Sequence, residues 1–336
     1  MISSIFSFSW GKPWILVFAS FALLELSLRF SFFGVPAFFR WAQYSPRSIT
    51  YMDYIEKTQD SVLKWKLKSN INGFIKGAGF KTNSLGFRDD EFTQTQQIVT
   101  LGRSITLGEG VEFESIWPQR VEKNLIFNNH RLSNVQNLAV SAYSLLQVER
   151  NFDLYGRKLE PSIVILPLFI EEWNAPIISE NHTADFSIWN AFDLRPQLTH
   201  FFSFFAINQW QKQNLGPFVK SDWSFIGTQK WKDYPSLQSE LPRIVFSIKK
   251  SADRIVLLNL PSNERVSVSE RSKNLAILTN WAKRYDYIDL IDASDIVADR
   301  QRYPTIFYGD LHPNHETHKK IADRVYAELN SKKRLQ

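Results

Sequence analysis

Ile98-Val99-Thr100-Leu101-Gly102-Arg103-Ser104-Ile105-Thr106-Leu107-Gly108-Glu109-Gly110 carries a short apolar strand into a glycine-punctuated turn with one serine at its head. A serine at the carboxyl end of a buried strand sits where open α/β sheets place their chemistry. Glycines around it let backbone N–H groups approach a reacting oxygen. Outward from this stretch the pattern repeats. Residues 97–101, 134–139, 162–168, 254–260 and 287–291 are apolar runs of strand length, and residues 115–127, 145–159, 269–285 and 316–330 have helical periodicity. Strand alternating with helix predicts a doubly wound parallel sheet covered on both faces. Ser115 and Pro118 read as the cap and first turn of one of these helices.

The chain has 336 residues, 44% of them hydrophobic, enough to bury one sizeable α/β core and still carry an anchor and an insertion. With no cysteine, disulfides, a thiolate nucleophile and a cysteine-based zinc site are excluded. The net charge of +6 suits an anionic membrane surface or a polyanion. Its 40 basic side chains are scattered among 34 acidic ones, and no basic patch interleaved with aromatics marks a nucleic-acid module, so a nucleic-acid partner is not expected.

Three parts follow along the chain. Residues 1–36 hold one membrane-length apolar stretch, about 14–33, read as a transmembrane helix that makes membrane lipid the expected partner. A cleaved signal peptide is the alternative, opposed by the length of the run and the lack of a small-x-small cleavage site. Glu25 and Arg29 stand four apart inside it, on one helical face where they can pair. Lys12 before the stretch and Arg40 and Arg47 after it nearly balance, so charge does not fix the orientation. Residues 37–95 form an approach segment with turn signals at Asn72-Gly73 and Gly77-Ala78-Gly79 but little periodicity. Residues 96–332 are the α/β domain, interrupted at 171–241 by an insertion rich in aromatics such as Trp173, Trp189, Phe201 and Trp210. Such an insertion either caps the sheet's carboxyl edge as an apolar lid, packs a small helical subdomain, or dips into lipid.

Far from Ser104 in sequence, Tyr308-Gly309-Asp310-Leu311-His312-Pro313-Asn314 precedes the last helix. An Asp and a His two apart in a loop, with a turn-borne serine elsewhere, have the composition of a hydrolase triad. His312 would take the Ser104 proton, and Asp310 would orient the imidazole. His312, His315 and His318 suggest a metal set, but steps of three do not place all three on one helical face. His318 reads instead as a packing histidine, and no metal or other cofactor is expected.

Four ordered blocks now carry a resemblance: Asn83-Ser84-Leu85-Gly86-Phe87-Arg88-Asp89, Leu101 to Gly108, Asn137-Leu138-Ala139-Val140-Ser141-Ala142-Tyr143-Ser144, and Asp310 to Asn314. In order and spacing they are similar to the membrane-anchored SGNH (GDSL-type) hydrolases. The resemblance implies a flavodoxin-like sheet and ester or acyl chemistry by serine, with Ser104 at the serine block and Asp310 and His312 at the histidine block. It also implies an extracytoplasmic domain and a glycan or lipid ester as substrate.

Three positions depart from the family pattern. Arg103 stands where the family has Asp, Ala142 where it has an oxyanion-binding Gly, and Glu171 where it has an oxyanion-binding Asn. Alanine keeps its N–H. A carboxylate in place of an amide donor repels a developing oxyanion, and losing one donor costs roughly 3–4 kcal/mol of transition-state stabilisation. Two rescues are open: Asn174 takes the place if the register is off by a turn, or Arg103 neutralises Glu171 across the switch point of the sheet. Arg103 could equally recognise a substrate carboxylate or phosphate, or lie on the surface near Glu109 or Glu112. The sequence therefore supports a serine esterase, acyl hydrolase or O-acyltransferase, with a non-catalytic binding or scaffold protein of the same fold as its rival.

Overall fold

The computed structural model describes residues 11–40, 54–92, 97–170, 173, 235–260, 268–296 and 312–332. Helix α1, Gly11–Phe33, has 23 residues, and its stretch Pro13–Ser31 has a mean hydropathy of 1.6. It is long and apolar enough to be a membrane span or a signal sequence. Most of its side chains are exposed, whereas Glu25 and Arg29 are buried and meet at 3.3 Å, as their spacing on one face requires. A one-turn helix, α2 (Pro36–Phe39), follows Gly34, where the chain turns with φ of 68°.

Residues 54–92 hold two antiparallel hairpins that the sequence did not reveal, because each strand is only three or four residues long. Strand β1 (Ile55–Lys57) pairs with β2 (Trp65–Leu67), and β3 (Asn72–Ile75) with β4 (Ala78–Lys81). Asn72-Gly73 is not a turn but the start of β3, where a side chain on Gly73 would collide with the Tyr54 ring. The turn lies at Lys76-Gly77, both with positive φ (51° and 84°), as a two-residue hairpin of the primed type demands.

This segment is no detached linker. Leu63, Trp65, Phe80 and Phe87 are buried in the same cluster as the sheet strands. Large apolar side chains of this kind each contribute roughly 1.5–3 kcal/mol by leaving water. Polar ties fix the docking: Tyr143 donates to the Trp65 carbonyl and Gln147 to that of Leu63, each at 2.7 Å, and Arg150 pairs with Asp60, also at 2.7 Å.

The main sheet is parallel. Its strands β5 (Gln97–Thr100), β6 (Asn134–Asn137), β7 (Ile163–Leu168), β8 (Arg254–Asn259) and β9 (Ile288–Asp292) lie in the order β6-β5-β7-β8-β9. Around it stand α3 (Ser104–Leu107), α4 (Trp117–Phe127), α5 (Leu145–Leu154), α6 (Leu237–Lys249), α7 (Val268–Ala282) and α8 (His315–Ser331). Successive strand residues face opposite sides. Ile163, Ile165, Val256 and Leu258 pack with α4 and α8, while Val164, Leu166, Ile255 and Leu257 join the core of α5, α6 and the hairpins. This is the doubly wound parallel sheet expected from the alternation of strand and helix, in the flavodoxin-like form that the resemblance implies.

Pro167 sits inside β7 without breaking the ladder. The Leu101 N–H donates to the Ile165 carbonyl and the Leu260 N–H to that of Leu168, so odd-numbered groups in this part of β7 face β5 and even-numbered ones face β8. The donor Pro167 lacks would face the Leu101 carbonyl, at the end of this ladder, just before the chain turns at Gly102. The strand end is thereby opened at the switch point between β5 and β7.

Several boundaries differ from the sequence reading. Helix α4 begins at Trp117 with Ile116 as its cap residue, because residues Phe113–Ser115 close a 3-10 turn; Pro118 does occupy the first turn. Helix α5 carries a Ser144–Gln147 capping box and stops at Leu154, after which Gly156 packs where a side chain would strike Phe152. Helix α6, capped by Ser236, already begins at Leu237, inside the expected insertion at 171–241. Trp173 is buried in the main core; the other insertion aromatics named above lie outside the described residues.

Candidate active site

Strand β5 delivers the serine. Leu101 is its last buried apolar residue, Gly102 turns the chain with φ of 137°, and Ser104 opens the one-turn helix α3. Gly102 is required here: a Cβ would lie 2.5 Å from Thr106 Oγ1. Gly108 ends α3 in the left-handed region with φ of 79°, and a side chain there would strike Ile116. Ser104 is half-buried. Among the described residues, neither its hydroxyl nor its N–H makes a hydrogen bond.

The loop after β6 supplies the second strand end. Ala142 has φ of 61°, the left-handed conformation a glycine adopts freely and an alanine only at a cost of about 1–2 kcal/mol. Its N–H is likewise uncommitted among the described residues. Asn137 holds this loop against α3, its side-chain amide donating to the Thr106 carbonyl at 3.1 Å and accepting from the Ala139 N–H at 3.1 Å.

His312 arrives from the far end of the chain, just before α8, whose first turn is capped by Asn314 accepting from the Thr317 N–H. It does not hydrogen-bond Ser104. Its Nδ1 lies 2.8 Å from Lys76 Nζ, and its Nε2 lies 3.5 Å from Glu109 Oε2. Lys76 in turn meets Glu109 Oε2 at 2.8 Å, and the Ser141 hydroxyl donates to Glu109 Oε1. Lys76 and Glu109 are both buried. Burial alone would push the Glu109 carboxyl up. The ammonium of Lys76, the His312 ring and the Ser141 hydroxyl outweigh it and hold the group at about 2. Glu109 is therefore a carboxylate, and its interactions are available above its unfolded range and lost only as pH falls through about 2.

Sequence reasoning missed Lys76, Glu109 and Ser141 as site residues, although all three lie in or beside quoted stretches. A charge flanked by Gly108 and Gly110, and a lysine at the first position of a two-residue turn, were the available signals. Arg88 was quoted without a role. It is 1% exposed, and its two terminal nitrogens donate to four carbonyls: Leu107 and Gly108 from Nη1, Gly79 and Val111 from Nη2. Burial lowers its pKa to about 10, so it remains a cation at neutral pH, clamping the loop after α3 to the β3–β4 hairpin. Asp89 ties the same segment to β6 by accepting from the Asn137 N–H at 2.7 Å, while burial pushes its carboxyl up.

The remaining sequence candidates divide simply. Arg103 is the residue capping α3, in extended conformation. Glu109 and Glu112, named as its surface neighbours, are turned elsewhere: Glu109 inward to Lys76, Glu112 to the Gly79 N–H. Asp310, Glu171 and Asn174 lie outside the described residues, and with them the Arg103–Glu171 pair. His318 is a packing histidine. It is fully buried, its Nδ1 accepts the first N–H of α4 from Trp117 at 3.1 Å, and burial with the nearby charges pushes it down to about 3. Among the described residues no cluster of His, Asp or Glu could hold a metal ion.

No family model matches the chain, and no curated protein matches it in sequence. Solved structures do show a likeness in fold. A protein of the G-D-S-L family from Desulfitobacterium hafniense is 13% identical over 69% of this chain and 99% of its own, with a TM-score of 0.38. The esterase EstA from Pseudoalteromonas sp. is 13% identical over 71% and 99%, with a TM-score of 0.41. The family 3 carbohydrate esterase of Clostridium thermocellum is 14% identical over 71% and 98%, with a TM-score of 0.40.

Proposed function

We propose that this chain is a membrane-anchored serine esterase, acyl hydrolase or O-acyltransferase acting on an ester or O-acyl group, with Ser104 as nucleophile, His312 as base and Asp310 as the residue orienting it. One observation carries the reading. The Glu109 N–H bonds the Ser104 carbonyl at 3.2 Å, and the Glu109 side chain reaches the His312 ring, so a histidine from the end of the chain returns to the turn that bears the serine. The uncommitted N–H groups of Ser104 and Ala142 fit donors of a reduced oxyanion hole. Arg103 paired with Glu171, or Asn174 in its place, would complete it. Helix α1 would hold the domain at a lipid surface, on the extracytoplasmic side, with a glycan or lipid ester as substrate.

A fluorophosphonate probe tests this. Labelling of the wild type that disappears in Ser104→Ala is the expected outcome; absence of labelling in folded wild-type protein, with biological activity unchanged in Ser104→Ala, would sink the enzyme reading.

A second reading, a non-catalytic protein that keeps the fold, is favoured by one contact. A serine base needs Nδ1 protonated and Nε2 free, whereas Nδ1 of His312 here faces an ammonium.

A further inference from the structure

The hairpin before the sheet reaches into the site through a residue in an unfavourable conformation. Lys76 has φ of 51°, in a turn position where Asn, Asp or Gly is the usual occupant. A lysine there is strained, and a backbone outlier of this kind is a reason to ask what its side chain does. Its ammonium is buried, and it bridges His312 Nδ1 and Glu109 Oε2, each at 2.8 Å.

We propose that Lys76 and Glu109 are a positioning pair for His312: the ammonium holds Nδ1 as an acceptor, and the two opposite charges together set how tightly the imidazole holds a second proton. This deepens the reading of His312 as the base and rests on it for its catalytic meaning.

The chemistry follows from donor counting. An ammonium offers only donors, so a ring nitrogen facing it at hydrogen-bond distance is unprotonated, and neutral His312 carries its proton on Nε2. That tautomer cannot take a proton from serine at Nε2. Lys76 therefore holds a resting form, and general-base action requires Nδ1 and Lys76 to part. Among the described residues the groups facing the ring are Lys76 from the β3–β4 turn and Glu109 from the loop after α3, with Ser141 bonded to the far oxygen of Glu109. His318 on α8 feels the His312 charge, and Arg88 acts on both Glu109 and His318.

Removing Lys76 takes the ammonium from the ring and leaves the Glu109 carboxylate, which favours imidazolium. Removing the charge of Glu109 takes the carboxylate from the ring and leaves the ammonium, which disfavours imidazolium. The two substitutions should therefore move the His312 titration in opposite directions.

The experiment is nitrogen-15 NMR of the full chain in detergent, histidine-labelled, titrated as wild type, Lys76→Met, Lys76→Arg and Glu109→Gln. The neutral wild type is expected to show protonated Nε2 and hydrogen-bonded, unprotonated Nδ1. Lys76→Met should raise the titration midpoint and populate the Nδ1–H form, Glu109→Gln should lower the midpoint, and Lys76→Arg, which keeps the charge, should stay near wild type. An unchanged resonance of His130, whose ring is held against Tyr326, certifies the fold in each variant. Where fluorophosphonate labelling occurs, its acid limb should follow the same shifts. A His312 titration indifferent to both charge-removing substitutions overturns the pair, even if the wild type labels. The expected shifts in a protein that never labels support the pair and overturn the hydrolase reading instead.

Discussion

Ala142 and Gly102 show what single residues contribute to the strand ends. Both hold positive φ, but only glycine does so without strain. Retaining the glycine-like backbone with an alanine keeps the N–H in place and stores a small penalty. Ala142→Gly should accordingly stabilise the protein, by about 0.5–1 kcal/mol once the larger backbone entropy of glycine in the unfolded chain is set against the relieved strain. Chemical denaturation measures it directly: a higher midpoint is expected, and an equal or lower one would mean the local backbone does not feel the Cβ. Lys76 presents the same strain with a different outcome, because its side chain ends in the Glu109–His312 cluster rather than in solvent.

At the scale of elements, the β3–β4 hairpin and the loop after α3 act as one unit. Arg88 joins them by donating to carbonyls on both, and Glu112 returns the tie by accepting the Gly79 N–H. Replacing Arg88 by Met would strip the Leu107, Gly79 and Val111 carbonyls of the guanidinium donor at once, while Gly108 keeps the Val111 N–H, and a buried group left without its partner costs about 1–3 kcal/mol. Arg88→Met should therefore destabilise by at least about 3 kcal/mol, read as a lowered denaturation midpoint. Its local signature would be loosening of the hairpin and loop, visible as faster amide exchange at Gly79 and Val111. Wild-type exchange there would show that the clamp is not what joins the two elements. The five parallel strands were legible as apolar runs because their side chains alternate between two buried faces. The hairpins were not, since three-residue strands leave no period to detect, and α6 was hidden because its start lies within a stretch read as insertion.

For the whole molecule, α1 stands out as a helix whose apolar side chains are largely exposed among the described residues. Its side chains from Trp14 to Phe18 are all exposed, with Trp14 at 56% and Phe18 at 69%, whereas Glu25 and Arg29 are inside. Apolar surface of this extent is costly in water and favourable in lipid. The full chain should sediment with membranes and resist alkaline carbonate extraction, while a chain lacking residues 1–36 should be released; extraction of the full chain by carbonate would contradict the anchor. Ser104 needs no such anchor for its local geometry, because the turn is made by β5, Gly102 and Gly108.

The sequence by itself determined the apolar strand runs, the intervening helices and the glycines that open the strand end, since these depend on neighbours in the chain. From them came the sheet class and the position of Ser104. Tertiary structure alone decided the surroundings of His312. Lys76, Glu109, Ser141 and His312 come from four separated stretches, and no local pattern records which of them meet. Their meeting is fixed by the docking of the hairpin through Arg88, by the loop after α3, and by the return of α8 to the sheet. Charge at one ring nitrogen therefore depends on a turn residue 236 positions earlier in the chain. Only folding brings those charges within a few ångströms, where they decide which tautomer the imidazole holds.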